Sequence, residues 1–271
     1  MMVYVSKDKL WWNEHTKAEI VEHAKKNDIV LWPLGSIEQH GDHLPTGEDT
    51  YHGIEISERV ARKTGVMLLP PPWYGAHPYH HYYFAGTVPL SPETFLGMVE
   101  DVVKGAAVAG YNKFVLLNVH GQEWILPVVI QKLALQNYFV IAPTLWEIMR
   151  KEFNEILETY FIHACEAETS LGLAIVPQLV NMKAAYDEER ENLLDDKWFS
   201  APSEAGPIFA FAGTFYRPEY LQMKHGSIGF PTKGTAQKGE KILDVATNKM
   251  VDLIEEIKRR YPPGVKPPVT K

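Results

Sequence analysis

The sequence has a single cysteine, Cys165, in 271 residues. That excludes an internal disulfide and suits a reducing compartment. No uninterrupted apolar run reaches the length of a membrane span. The N-terminal MMVYVSKDKLWW lacks the apolar core of a signal peptide. A soluble, cytoplasmic protein with no membrane partner is expected. No basic patch is present and the formal net charge is −7, which argues against nucleic acid as a partner. The glycines match neither a P-loop nor a dinucleotide fingerprint. No Gly-x-Ser-x-Gly elbow occurs, and Cys165 lies among Ala and Glu at a helix start, which disfavours a Ser or Cys nucleophile.

What remains is an ordinary globular composition, 45% hydrophobic and 23% charged, enough to bury a sizeable core. With no internal repeat and no clean boundary, one domain over residues 1–271 is expected. Strand and helix patterns alternate. A polar helix is expected at 14–26, with Ala18, Val21 and Ala24 as its apolar stripe. A buried strand follows at 28–34, then a helix at 53–63 stopped by Gly65 and a strand at 66–69. Ser91 caps a helix over 91–109. The continuous apolar run KFVLLNV at 113–119 reads as a parallel strand. A helix carrying Ile125, Val128, Val129 and Leu133 comes next, then a strand at 139–144 and helices at 146–160 and 163–176. Residues 183–240 read as irregular, with an acidic stretch near 187–196, before a last helix at 241–261. The alternation predicts an α/β fold with a mainly parallel sheet covered on both faces.

The stretch LWPLGSIEQHGDHLPTGEDTYH, residues 31–52, turns abruptly from apolar to polar. It offers Glu38, His40, His43, Glu48 and Asp49. Carboxylate oxygen and imidazole nitrogen are ligands for zinc, manganese and iron. Glu38 and His40 are two apart, so in an extended segment they point to one side. Asp49 follows a loop containing Pro45 and Gly47, from which a carboxylate can arrive from another direction. A solvated loop is also polar, but α/β folds build sites at strand ends. The strand at 113–119 delivers His120 the same way, followed by Gln122 and Glu123, and parallel strands bring both ends to one rim.

Two further segments carry chemistry. WYGAHPYHHYYFAGTVPL, residues 73–90, holds three histidines and four tyrosines. Its Tyr79, His80 and His81 suit a small polar ring, because each combines a flat face with a hydrogen-bonding edge. An aromatic surface loop or subunit interface would carry the same residues. HACEAETS, residues 163–170, holds His163 and Glu168, although acids in a first helical turn are favourable for dipole reasons alone.

PLGSIEQHGDHLPTGEDT resembles the first motif of the creatininase (creatinine amidohydrolase) family, PxGSxEQHGxHLPxxTD. NVHGQEW resembles its second, commonly NGHGGN, and HACEAETS its third, HxGxxETS. The resemblance spans almost the whole chain. It implies a three-layer α/β fold and a metal-dependent hydrolase with one or two divalent ions. By motif position it implies Glu38, His40, Asp49 and His120 as metal ligands, with Asp49 as the bridge. It also implies a homo-oligomer, creatininase itself being a hexamer. His163, Glu123 and Glu168 are candidates for proton transfer, with Glu123 and Glu168 open also as further ligands. Creatininase has an acidic ligand two residues after the second-motif histidine, where this chain has Gln122, which is read here with the substrate-binding residues. An acid precedes its third-motif histidine, where this chain has Ile162. Both departures point away from creatinine. The expected substrate is a small polar cyclic carbonyl compound, best a keto-inositol opened at a C–C bond. The alternatives are a C–N amidohydrolase acting on a creatinine-like amide or formamide, and a non-catalytic binding subunit.

Overall fold

The computed structural model describes residues 8–78, 81–82, 84–189 and 224–269. Four parallel strands form the sheet: β1 (Ile29–Leu34), β2 (Met67–Leu68), β3 (Lys113–Asn118) and β4 (Phe139–Ile141). Their order is β2-β1-β3-β4. β1 and β3 are buried along their whole length, as unbroken apolar strands must be when both faces are covered. They run in register from Ile29 opposite Lys113 to Leu34 opposite Asn118. Side chains alternate between faces. Ile29, Leu31, Val115 and Leu117 enter one core, and Val30, Trp32, Phe114 and Leu116 enter the other.

The helices are α1 (Lys17–Lys26), α2 (Glu48–Thr64), α3 (Pro92–Val108), α4 (Leu126–Leu135), α5 (Leu145–Ile148), α6 (Arg150–Ile156), α7 (Glu166–Ile175) and α8 (Ala236–Arg260). The first core takes α2 and α5 to α8, the second α1, α3 and α4. That makes three layers, as expected. No helix among the described residues is long and apolar enough to cross a membrane.

Local chemistry sets the helix ends. Ser91 accepts a hydrogen bond from the Thr94 N–H at 3.2 Å, with Pro92 in the first turn. Gly65 ends α2 at φ 66°, a left-handed conformation that glycine adopts without penalty. α7 and α8 cross so closely that a Cβ on Gly239 would stand 2.0 Å from the Ser170 carbonyl oxygen.

Four expectations are corrected. In α1 the buried residues are Ile20 and Ala24, while Ala18 and Val21 are exposed. α2 starts at Glu48 rather than residue 53, because Glu48 and Asp49 sit in a first turn that favours acids. The helix expected at 146–160 is two short ones joined at Met149. α8 starts at Ala236, where Thr235 caps it. The acidic stretch beyond Glu189 and most of the irregular segment lie outside the described residues.

Candidate metal centre

Because Leu34 pairs with Asn118, segments 35–40 and 119–123 leave the sheet side by side. They bring Glu38 and His40 to His120. The first turn of α2 adds Glu48 and Asp49, the start of α7 adds His163 and Glu168, and segment 75–82 adds His77 and His81. All are buried.

Asp49 stands between two imidazoles. Its Oδ2 lies 2.9 Å from His120 Nδ1 and its Oδ1 lies 3.3 Å from His40 Nε2. Each oxygen thus faces a different histidine, the arrangement a bridging carboxylate needs. His120 Nδ1 is also 3.2 Å from Glu38 Oε2. Around His40 Nε2, Glu48 Oε2 and Glu168 Oε2 each lie at 3.8 Å and Glu38 Oε2 at 4.0 Å. Ligand atoms of His40, Glu48, Asp49 and Glu168 lie within 4.8 Å of one another, as do those of Glu38, His81 and His163.

Backbone carbonyls set the tautomers. A carbonyl oxygen can only accept, so the ring nitrogen facing it carries the proton. His40 Nδ1 donates to the Glu38 carbonyl at 3.1 Å and His120 Nε2 to Ala76 at 2.9 Å, whereas His163 Nε2 faces both an acceptor, the Gln39 carbonyl at 2.8 Å, and a donor, the Gln39 side-chain Nε2 at 3.1 Å. In the neutral rings of His40 and His120 the opposite nitrogen then presents a lone pair to the cluster, as metal-binding histidines do. Among the described residues, Glu38 Oε1, His40 Nε2 and Glu48 Oε2 are buried with no hydrogen bond of regular geometry, and each faces another ionisable side chain. The donor set fits divalent cations.

Burial opposes charge on every group here, and proximity decides which effect wins. Burial would raise Glu38 and Asp49, but the surrounding imidazoles hold both carboxyls well below the carboxylate range. Burial would lower His40 and His120, but Asp49 and Glu38 raise both, His120 to about 10. Burial holds His163 well below the histidine range. Burial pushes Glu168 up to about 8, with Glu48 and Asp49 adding to the shift and His40 opposing it. Behind Glu48, at 3.0 Å from its Oε2, lies His52 Nδ1. The Glu48 carboxylate overcomes burial and raises His52 to about 9. His52 therefore pairs as a cation with Glu48 and donates through Nε2 to the Val119 carbonyl at 3.2 Å.

The implied ligands Glu38, His40, Asp49 and His120 are brought together, with His163, Glu168 and His81 beside them. His81 Nδ1 is 2.5 Å from Glu38 Oε1. Tyr79 and His80 lie outside the described residues. Gln122 is not free to bind substrate. Its Oε1 accepts from the Ala76 N–H at 3.2 Å, and its Nε2 donates to the Leu34 carbonyl at 3.3 Å and to Asn118 Oδ1 at 3.2 Å. Glu123 is exposed at the rim and stays outside the ligand groups. Surrounding protein holds its carboxyl above the ordinary range. His43 turns away to Thr169 Oγ1 at 2.8 Å. Spacing alone missed His52 and His77. An α2 start at Glu48 would have shown His52 one turn on, at i+4 from that acid.

The creatinine amidohydrolase family model, Creatininase, matches residues 13–254. A 3-dehydro-scyllo-inosose hydrolase from Thermotoga maritima is 34% identical over 96% of this chain and 87% of its own length. A creatinine amidohydrolase from Pseudomonas putida is 25% identical over 94% of this chain and 96% of its own. A solved mutant creatininase of Zn–Zn type superposes with a TM-score of 0.76 at 22% identity. It covers 95% of this chain and 100% of its own.

Proposed function

The chain belongs to the creatininase family and is a hydrolase, and on that premise we propose that it opens a keto-inositol such as 3-dehydro-scyllo-inosose by metal-dependent C–C cleavage. The observation that carries the substrate is the 34% identity to the Thermotoga maritima hydrolase of that compound, maintained over nearly the full length of both chains. In this reading Glu38, His40, Asp49 and His120 would hold one or two divalent ions, zinc, manganese or iron. When bound, such ions polarise a carbonyl and lower the pKa of water.

The chain's own residues do the rest. His163, which burial holds neutral, has Nδ1 3.8 Å from Glu38 Oε2 and can accept a proton from the water that adds to a ring carbonyl. Adding water there breaks the bond to the neighbouring ring carbon, and the electron pair delocalises onto the second carbonyl. That carbon then takes up a proton. Glu168, a buried carboxyl held up to about 8, carries a proton at neutral pH, as a general acid must. The bridge is the part to remove: Asp49→Ala and His40→Ala should each abolish metal binding and turnover. Near-full activity in either variant refutes the assignment.

The second reading, C–N hydrolysis of a small amide, is favoured by the 25% identity to the Pseudomonas putida amidohydrolase. The fate of Gln122 weighs against it. Its amide is committed to backbone and Asn118, so the position that is acidic in creatininase offers no charged ligand here. A homo-oligomer is also proposed. It is supported by the exposed Trp124, Val128 and Leu135 on and beside α4, Leu135 being 85% exposed. Light scattering on the eluting protein tests it, and a monomer at micromolar concentration refutes it.

A further inference from the structure

His77 lies outside the ligand set that the motifs imply, yet it is positioned as those ligands are. Segment 75–77 is held from three sides. Leu90 N–H donates to the Gly75 carbonyl at 2.8 Å, Ala76 N–H donates to Gln122 at 3.2 Å, and the Ala76 carbonyl accepts from His120 at 2.9 Å. The approach is close enough to require glycine at 75. A Cβ there would stand 2.7 Å from Gln122 Oε1 and 3.0 Å from the Gly35 carbonyl oxygen.

On this fixed segment His77 is 2% exposed. Its Nδ1 donates to the Gly75 carbonyl at 3.0 Å, which turns Nε2 into the interior. That Nε2 is buried and has no hydrogen-bond partner among the described residues. Its ring centroid is 4.4 Å from that of His120. One ligand atom from each of Glu38, His77 and His120 lies within 4.8 Å of the others. A carbonyl-anchored imidazole with its second nitrogen buried and unpaired, beside two implied ligands, has the make-up of a third.

We propose that His77 Nε2 is a metal ligand, joining Glu38 and His120 at one position of the centre. The proposal rests on the metal-dependent reading above and extends it to a residue that the family motifs do not name. It also makes the two halves of the centre chemically unlike. The Glu38–His77–His120 group supplies two imidazoles and one carboxylate. The His40 group supplies one imidazole and the carboxylates of Glu48 and Asp49, with the Glu168 carboxyl beside them. Nitrogen-rich sites suit zinc, iron or cobalt, and oxygen-rich sites also accept manganese.

The test is a Co2+ titration of the metal-free full-length protein, following the visible d–d bands and the affinity against a competing chelator. Wild type, His77→Ala and His77→Gln are compared, with circular dichroism of each metal-free form as the folding control. The proposal expects both variants to lose at least about tenfold in affinity at one Co2+ position, with altered bands that added imidazole restores in His77→Ala. His77→Gln keeps a polar chain, so it serves if the alanine variant fails to fold. Bands and affinities identical to wild type in a folded variant overturn the proposal and leave the metal centre standing. A wild type that binds no Co2+ overturns both.

Discussion

In the metal-free chain, His40 and His120 should be charged at neutral pH, so loading the centre must expel their protons. His120 is the clearer case. Burial alone would keep it neutral, but Glu38 Oε2 at 3.2 Å and Asp49 Oδ2 at 2.9 Å hold it up to about 10. At pH 7 that is about three pH units, or roughly 4 kcal/mol to remove the proton. His40, raised by Asp49 against its own burial, gives up a second. The apparent metal affinity should therefore rise about tenfold per pH unit for each proton displaced. Two protons make roughly a ten-thousandfold gain between pH 6 and 8. Calorimetric zinc titrations in buffers of different ionisation enthalpy count the released protons directly, and about two per loaded centre are expected at pH 7. Release of none, with affinity flat from pH 6 to 8 after correction for the buffer, would refute the reasoning. The same pairing fixes the sign for stability. The folded pKa of His120 lies above the ~6.5 of an unfolded histidine. Its contribution is full below pH ~6.5 and is lost as pH rises towards 10, so the metal-free protein should melt at lower temperature at pH 9 than at pH 7.

Three further outcomes are expected. Lys113 and Asp28 form a buried pair at 2.6 Å at the edge of the sheet opposite the centre. Lys113→Ala strands the carboxylate and should cost about 3–5 kcal/mol, or roughly 10 °C in melting temperature, while activity per folded molecule is unchanged. A full loss of specific activity would contradict this. Cys165 is buried, which pushes its thiol up to about 12. Cys165→Ala should therefore keep kcat within about twofold, and a large loss would revive a thiol nucleophile. Gly75→Ala forces a Cβ against Gln122 and the Gly35 carbonyl. It should cost about 1–3 kcal/mol and weaken metal binding by displacing Ala76, the anchor of His120; chelator competition on the folded variant measures it.

The sheet was readable because unbroken apolar runs such as IVLWPL and KFVLLN have few other uses. Their parallel pairing places His40 and His120 on one rim. The start of α2 was not readable from periodicity. Its first turn, Glu48–Asp49–Thr50, has no apolar residue and is buried for chemical reasons, so periodicity marks the helix only from Gly53 onward. That offset conceals the Glu48–His52 pair. Glu168 illustrates the same limit. An acid at the start of a helix is explained locally by the dipole, and only the packing of α7 against α2 brings it beside His40. Gln122 went wrong in the opposite direction. A polar residue two places after a ligand invites a functional role, but its amide meets backbone at both ends, and those partners lie 46 and 88 residues away in the chain. His77 depends on a tertiary approach, segment 75–77 lying against the residue 120 turn, that no local pattern encodes.

The central claim is metal-dependent opening of a keto-inositol ring at a C–C bond. It is tested most directly by following 3-dehydro-scyllo-inosose by NMR with metal-replete protein, with and without chelator, alongside creatinine and a formamide. The account predicts an open-chain product from the keto-inositol alone, formed only when metal is present. Turnover indifferent to chelator, or turnover of the amides in its place, would contradict it.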